Sequence, residues 1–179
     1  LLRMYLEDLD PAYKYPLDRA IRFILESQYP IGGWPQRYPL KYEFTHHGNP
    51  DYTSYYTFND DVVWENINFL LKCYQTLGER RFLDPILRGM NFYVVTQQGP
   101  PQAGWAQQYT PSMHPAWARA FEPPAVSSCE SRSAMAASAI MARAVSIPAA
   151  LAVSALLLTP VAPIYALSGG ERRAKQRGR

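Results

Sequence analysis

A spaced pattern occurs twice in this chain and constrains its fold more than any other feature. Pro16, Arg19, Phe23 and Gln28 spell P-x2-R-x3-F-x4-Q, and Pro85, Arg88, Phe92 and Gln97 spell it again at one constant offset. After a slip of two residues, WPQRYP (Trp34 to Pro39) aligns with WAQQYT (Trp105 to Thr110). Two copies at a period of about seventy residues imply a repeated supersecondary unit that buries its apolar face against neighbours.

Each copy reads as a helix that ends in a rigid aromatic loop. In the first, Leu17, Ala20, Ile21, Ile24 and Leu25 recur at helical spacing. In the second, Asp84 before Pro85 predicts an N-cap followed by proline at the first helical position. Between them a third helix is predicted from about Asp60 to Leu77, with Val63, Ile67, Leu70, Leu71 and Tyr74 on one face and Gly78 closing it. No convincing alternation of period two appears. The expected fold is therefore all-α: paired antiparallel helices arranged as an α/α toroid, with loops at one end lining a pocket.

Composition adds limits. The 179 residues suffice for one domain with a real core, and 47% are hydrophobic against 18% charged. Aromatics make up 13%, a content that suits sugar faces as well as an ordinary tyrosine-rich core. The net charge of +3 arises partly in the terminal GERRAKQRGR, and no helix face carries a Lys/Arg stripe, so nucleic acid is not an expected partner. No stable protein partner is implied. Cys73 and Cys129 could pair or stay free, and their spacing does not suggest zinc.

The chain changes character after Glu130. Residues 1–130 read as the helical domain and 131–179 as a low-complexity tail rich in Ala, Ser, Arg, Leu and Pro. Ala144 to Gly170 carries no charge, but Pro148, Pro160 and Pro163 interrupt it, so a membrane span is not expected. The opening LLRMYLEDLD shows no charged-then-apolar leader, and the chain reads as a fragment.

Three segments carry candidate chemistry. In TFNDD, Asn59 is a candidate helix cap, and Asp60 and Asp61 suit the first turn of the following helix. The same residues are hard oxygen ligands appropriate to calcium, with further ligands to come from elsewhere or from a substrate. In PAWARAFEPP, Arg119 and Glu122 are either a surface ion pair at helical spacing or an arginine presented to grip a carboxylate. The W-x-Q segments, Trp34 with Gln36 and Trp105 with Gln107 and Gln108, offer stacking and amide hydrogen bonding as sugar sites do. The alternative is a tryptophan wedged between loop and helix. His46 and His47 read as loop residues.

Taken together, GGWPQRYPL, TFNDD, W-x-QQ-Y and P-A-x-ARAFE resemble the family-ten polysaccharide lyases, pectate lyases of α/α toroid fold, over roughly Tyr13 to Ser131. The resemblance implies calcium-dependent β-elimination of polygalacturonate or pectin. It makes Arg119 the catalytic base and Asp60 and Asp61 metal ligands. Asn59, Trp34, Gln36, Trp105, Gln107, Gln108 and Glu122 become the candidate substrate contacts. It also implies a secreted or periplasmic whole protein. The pattern departs from the family where Tyr55-Tyr56 replace the usual His-Ile, and the family's T-x-D-N-x-A-T-like motif is not found upstream. The chain is thus expected to be a middle slice of the domain.

Two other readings compete. Arg19 to Trp34 resembles the QW repeat of triterpene cyclases, in which Gln and Trp staple outer helices, although no D-x-D-D motif accompanies it. A non-catalytic helical-repeat scaffold or sugar-binding remnant would keep Trp34 and Trp105 and have no need of Arg119.

Overall fold

The computed structural model describes residues 1–42, 44–101 and 103–144. Its helices are α1 (Leu2–Asp8), α2 (Pro11–Ser27), α3 (Val62–Leu77), α4 (Leu83–Thr96) and α5 (Ser128–Ala144). Between them lie six two-residue strands: β1 (Thr45–His46), β2 (Asn49–Pro50), β3 (Tyr56–Thr57), β4 (Trp105–Ala106), β5 (Gln108–Tyr109) and β6 (Val126–Ser127).

These strands correct the all-α toroid expected from sequence. They form three antiparallel pairs, β1 with β2, β3 with β5 and β4 with β6. The registers Tyr56↔Tyr109 and Trp105↔Ser127 tie distant loops together. The described residues form a helix-dominated arrangement with small sheets. Loops that cross between helices leave backbone N–H and C=O groups that must find partners when buried, and these loops pair with one another. Strands of two residues are too short to leave a period-two signature in the sequence.

The helices follow local rules with some displacement from expectation. Asp10 caps α2 by accepting the Ala12 N–H at 2.8 Å, and Pro11 takes the first helical position, so α2 begins before Pro16 rather than at it. Asn59 does not cap α3, because Asp61 takes that position without a side-chain cap bond. Nor does Asp84 cap α4. The helix starts at Leu83, two residues before the expected first position at Pro85, out of a 3-10 turn at Arg80–Phe82, and Asp84 instead pairs with Arg88 at 3.2 Å. Gly78 closes α3 as expected, in the left-handed region at φ 69, with its N–H on the Tyr74 carbonyl.

Burial follows the stripes predicted for α2 and α3, and α4 adds one that the sequence reading had not drawn. Leu17 and Ile21 of α2, Val63, Ile67 and Leu70 of α3, and Ile86, Met90 and Phe92 of α4 share one core. Phe58 joins them, stacked on Phe92 with ring centroids 5.2 Å apart. The helix α5 crosses the compositional boundary at Glu130 and contributes buried Ala134 and Ala137 to the same core. The tail as far as Ala144 is therefore partly built into the fold, while residues 145–179 of it lie outside the described residues. The uncharged stretch that ends at Gly170 and the basic terminus are among those. No described helix is long and apolar enough to cross a membrane. Cys73 is buried and Cys129 exposed, and both are free.

Candidate functional site

The loops bring together side chains that are far apart in sequence. β3 pairs with β5, and Pro35 bridges to Tyr56, so the segments that follow Trp34, precede Asn59 and contain Gln108 lie side by side. The Gln107 carbonyl accepts the N–H groups of Phe58 at 2.9 Å and Asn59 at 3.0 Å, which pins the NDD segment to the second loop. Ala116 donates its N–H to the Gln108 carbonyl at 2.9 Å, which fixes the start of the Arg119 loop to the same place.

A chain of polar contacts then runs across the surface. Gln108, fully buried, donates its amide to Thr57 Oγ1 at 2.9 Å and to Gln36 Oε1 at 3.2 Å. Gln36 donates its amide to Asp60 Oδ2 at 3.2 Å. That same carboxylate oxygen lies 3.8 Å from Arg119 Nη2. Arg119 meets Glu122 as a fork, Nε to Oε2 at 2.9 Å and Nη2 to Oε1 at 2.8 Å. Asn59 donates to Glu122 Oε1 at 3.3 Å and closes the circuit back to the NDD segment. Side-on pairing of this kind fixes the plane of a guanidinium as well as its position.

The electrostatics follow. The hydrogen bond to Glu122 raises the Arg119 pKa above its already high ordinary value, more than partial desolvation lowers it, and Asp60 and Tyr52 add to the rise. Glu122 moves the other way, held below the usual carboxylate range chiefly by its bond to Arg119. Burial, helped by Asp61, pushes the Tyr93 hydroxyl far up, so it stays neutral.

Asp60 and Asp61 both adopt left-handed backbone at φ 56. That conformation costs a non-glycine residue about 1–2 kcal/mol, although aspartate tolerates it better than most. Both carboxylates are exposed at the entry to α3. Among the described residues the Asp61 carboxylate makes no hydrogen bond or ion pair.

Not every sequence candidate reaches this surface. Trp34 and Trp105 are buried. Each donates its indole N–H to a backbone carbonyl of the helix before its loop, Trp34 to Ile24 at 2.9 Å and Trp105 to Tyr93 at 2.8 Å. They act as wedges rather than open stacking surfaces. Gln107 acts through its backbone carbonyl, and Gln108 supports Gln36 from below. Two residues escaped the sequence reading. Trp117 and Phe121 flank Arg119 and are exposed. Their proline-bounded loop in the same segment was the available signal.

Asp60 and Asp61 have the donor chemistry for calcium, as hard and exposed carboxylate oxygens. They are not a complete shell, because no group of three or more His, Cys, Asp or Glu suited to a metal exists among the described residues. Glu122 is already committed to Arg119. At most, these two carboxylates would supply part of a calcium shell, with one Asp60 oxygen already bonded to Gln36.

Comparison with known proteins gives two kinds of match. The family model described as pectic acid lyase covers residues 1–153. A solved family 10 polysaccharide lyase from Cellvibrio cellulosa superposes with a TM-score of 0.64 at 22% identity, over 78% of this chain and 47% of that one. An aspartate-to-alanine variant of family 10 polysaccharide lyase from the same organism, in complex with trigalacturonic acid, gives 0.62 at 23% identity, over 75% and 44%. The chain thus spans less than half the length of either structure. No curated protein matches the sequence.

Proposed function

This chain belongs to the pectic acid lyase family, and from that premise we propose that it carries the reaction-centre portion of an enzyme that cleaves polygalacturonate by β-elimination. The observation that carries the proposal is the convergence of Asp60 and Arg119, nearly sixty residues apart in sequence, to 3.8 Å on one polar surface. Neither a helix cap nor a local Arg119–Glu122 pair requires that meeting.

In the reaction a base takes the proton from C5 of a uronate unit. The electron pair left behind forms the C4–C5 double bond, and the C4–oxygen bond breaks. The departing oxygen takes a proton from solvent. Arg119 stands where the family resemblance places the base, and its planar fork also suits a substrate carboxylate. A calcium ion held by Asp60 and Asp61 would supply positive charge at that carboxylate and make the C5 proton more acidic. Asn59 and Glu122 orient the guanidinium, and Gln36 with Gln108 holds the Asp60 carboxylate. Glu122 opposes loss of the Arg119 proton, so action as a base needs alkaline conditions, and turnover is expected to rise with pH across the alkaline range. The substrate class makes secretion or export to the periplasm the expected fate of the whole protein.

The test is release of unsaturated uronate product from polygalacturonate, with and without a calcium chelator, in the whole protein and in Arg119→Lys. The reading expects loss of turnover in Arg119→Lys with substrate binding kept, because an ammonium lacks the fork. Wild-type turnover in that variant would sink Arg119 as the base. Turnover indifferent to the chelator would sink calcium.

A further inference from the structure

Of the four tryptophans, Trp34 and Trp105 are buried and spend their indole N–H groups on backbone carbonyls. Trp117 does the opposite. It is 54% exposed, and among the described residues its indole N–H has no partner. Four residues on, Phe121 is 75% exposed, more than any other large apolar side chain described. Single exposed hydrophobes are ordinary, but two in one short loop on either side of a site arginine are not scattered.

The loop that presents them is held in shape. Ala118 donates its N–H to the Glu122 carbonyl at 3.1 Å, and Glu122 donates its own to the Arg119 carbonyl at 2.8 Å. The turn therefore places Phe121 at a fixed tip next to the guanidinium, whose carbon stands 5.6 Å from the ring centroid. Beside Phe121 opens a cavity of about 330 Å³, lined also by Gln107, Glu122, Pro123 and Val126. That size is at the lower end for small-ligand sites. Gln107 and Glu122 belong to the polar surface already described, so the cavity continues that surface.

We propose that Phe121 forms a sugar-stacking platform that takes the pyranose ring of a second uronate, next to the one engaged by Arg119, with Trp117 in the same loop as a built-in reporter. This rests on the polygalacturonate reading above. A pyranose presents an apolar C–H face whose hydrogens carry partial positive charge, and the face of an aromatic ring carries the complementary negative quadrupole. The guanidinium near Phe121 is drawn to the same ring and also pairs with carboxylates. A uronate satisfies both groups at once. A neutral hexose offers only the ring face, and a small dicarboxylate offers only the charge. The cavity is lined by the apolar Phe121 together with the polar residues Gln107 and Glu122, a mixed lining that suits a sugar.

The experiment is a fluorescence titration of this chain with trigalacturonic acid, with a neutral trisaccharide as control. Wild type is expected to bind the acid with a change in tryptophan emission, and Trp117→Phe to bind it with most of that change gone. Phe121→Ala is expected to weaken binding by about tenfold at unchanged thermal stability. Phe121→Leu, which keeps bulk without a π face, is expected to weaken it similarly, and Phe121→Tyr to restore it. Wild-type affinity in Phe121→Ala would overturn the platform and leave the polygalacturonate reading intact. Equal binding of the neutral and acidic trisaccharides, or no binding of the acid by wild type, would overturn the polygalacturonate reading and the platform with it.

Discussion

The two copies of the repeated pattern use their shared residues alike within a unit and differently between units. In both, the tryptophan of the loop staples back to the preceding helix, and its two acceptors, Ile24 and Tyr93, are aligned positions of the repeat. In both, the glycine just before the tryptophan lies tight against a later helix. A Cβ on Gly33 would stand 2.9 Å from the Phe92 ring of α4, and one on Gly104 would stand 2.6 Å from Ser131 Oγ of α5. Beyond this the units diverge. Gln28 donates to the Pro85 carbonyl at 2.9 Å and accepts from Arg88 at 3.0 Å, so the end of the first motif grips the start of the second. Gln97 has no such side-chain bond among the described residues, because α5 offers no P-x2-R sequence. Phe92 is fully buried while Phe23 is 46% exposed, touching Tyr38 edge-on. The difference teaches that the pattern encodes two separate devices. One is a staple within a unit, which always forms. The other is a clasp between units, which forms only where the next helix carries the matching residues.

The largest expected effect separates the two loops at their glycines. Gly32 sits at φ +112, and a side chain there would run into the Arg88 carbonyl. Backbone cannot yield as a side chain can, so Gly32→Ala is expected to cost about 4 kcal/mol or more, or to abolish folding. Gly104→Ala meets only the side chains of Ser131 and Val126 and should cost clearly less. Urea denaturation ranks the pair, and equal losses would erase the distinction.

Next come the staples. Trp34→Ala and Trp105→Ala are each expected to lose about 3–5 kcal/mol, because both rings are buried and both indoles are bonded. Thermal or chemical unfolding of the two variants should give similar values. A near-neutral Trp105→Ala would mean that only the first loop is a structural wedge.

The clasp should give a smaller but more telling contrast. Gln28→Ala leaves the buried Pro85 carbonyl and the Arg88 guanidinium without this partner, a loss of about 1–3 kcal/mol. Gln97→Ala should change stability by about 0.5 kcal/mol or less. Equal effects would show that sequence equivalence, not the facing helix, decides the role.

The smallest effect concerns pH. Glu122 in the fold is held below its ordinary range by Arg119. Its contribution is therefore full above the unfolded carboxylate value of about 4.3 and disappears as pH falls through the lower folded value. Melting temperatures of wild type and Glu122→Gln, measured from pH 7 down, should converge as the solution becomes more acid than that value. A gap that stays constant would show that the carboxylate's charge is not what Arg119 holds.

Sequence alone was enough for α2, α3 and α4, since residues such as Val63, Ile67 and Leu70 are spaced by the helical period and need no distant partner to be recognised; it missed α1 and read most of α5 as tail. The repeat was also legible there, and so were Asp60, Arg119 and Glu122 as candidates, which the fold then brings together. The sequence did not determine the short sheets, because each two-residue strand exists only where a loop from elsewhere lies against it. Nor did it separate a buried tryptophan from an exposed one. Trp34 and Trp117 are the same residue type in similar proline-bounded loops, yet one meets a carbonyl in the last turn of α2 and the other meets solvent. Capping misled at Asn59 for a related reason. The Gln107 carbonyl captures the Phe58 and Asn59 N–H groups and turns the chain through two left-handed aspartates, so the Asn59 amide goes to Glu122 and not to α3. Periodicity and capping preferences are local energies of a fraction of a kcal/mol to about 2 kcal/mol, written in neighbouring residues. Which loop faces which is decided by burying a whole core at once, and that sum is visible only in the folded chain.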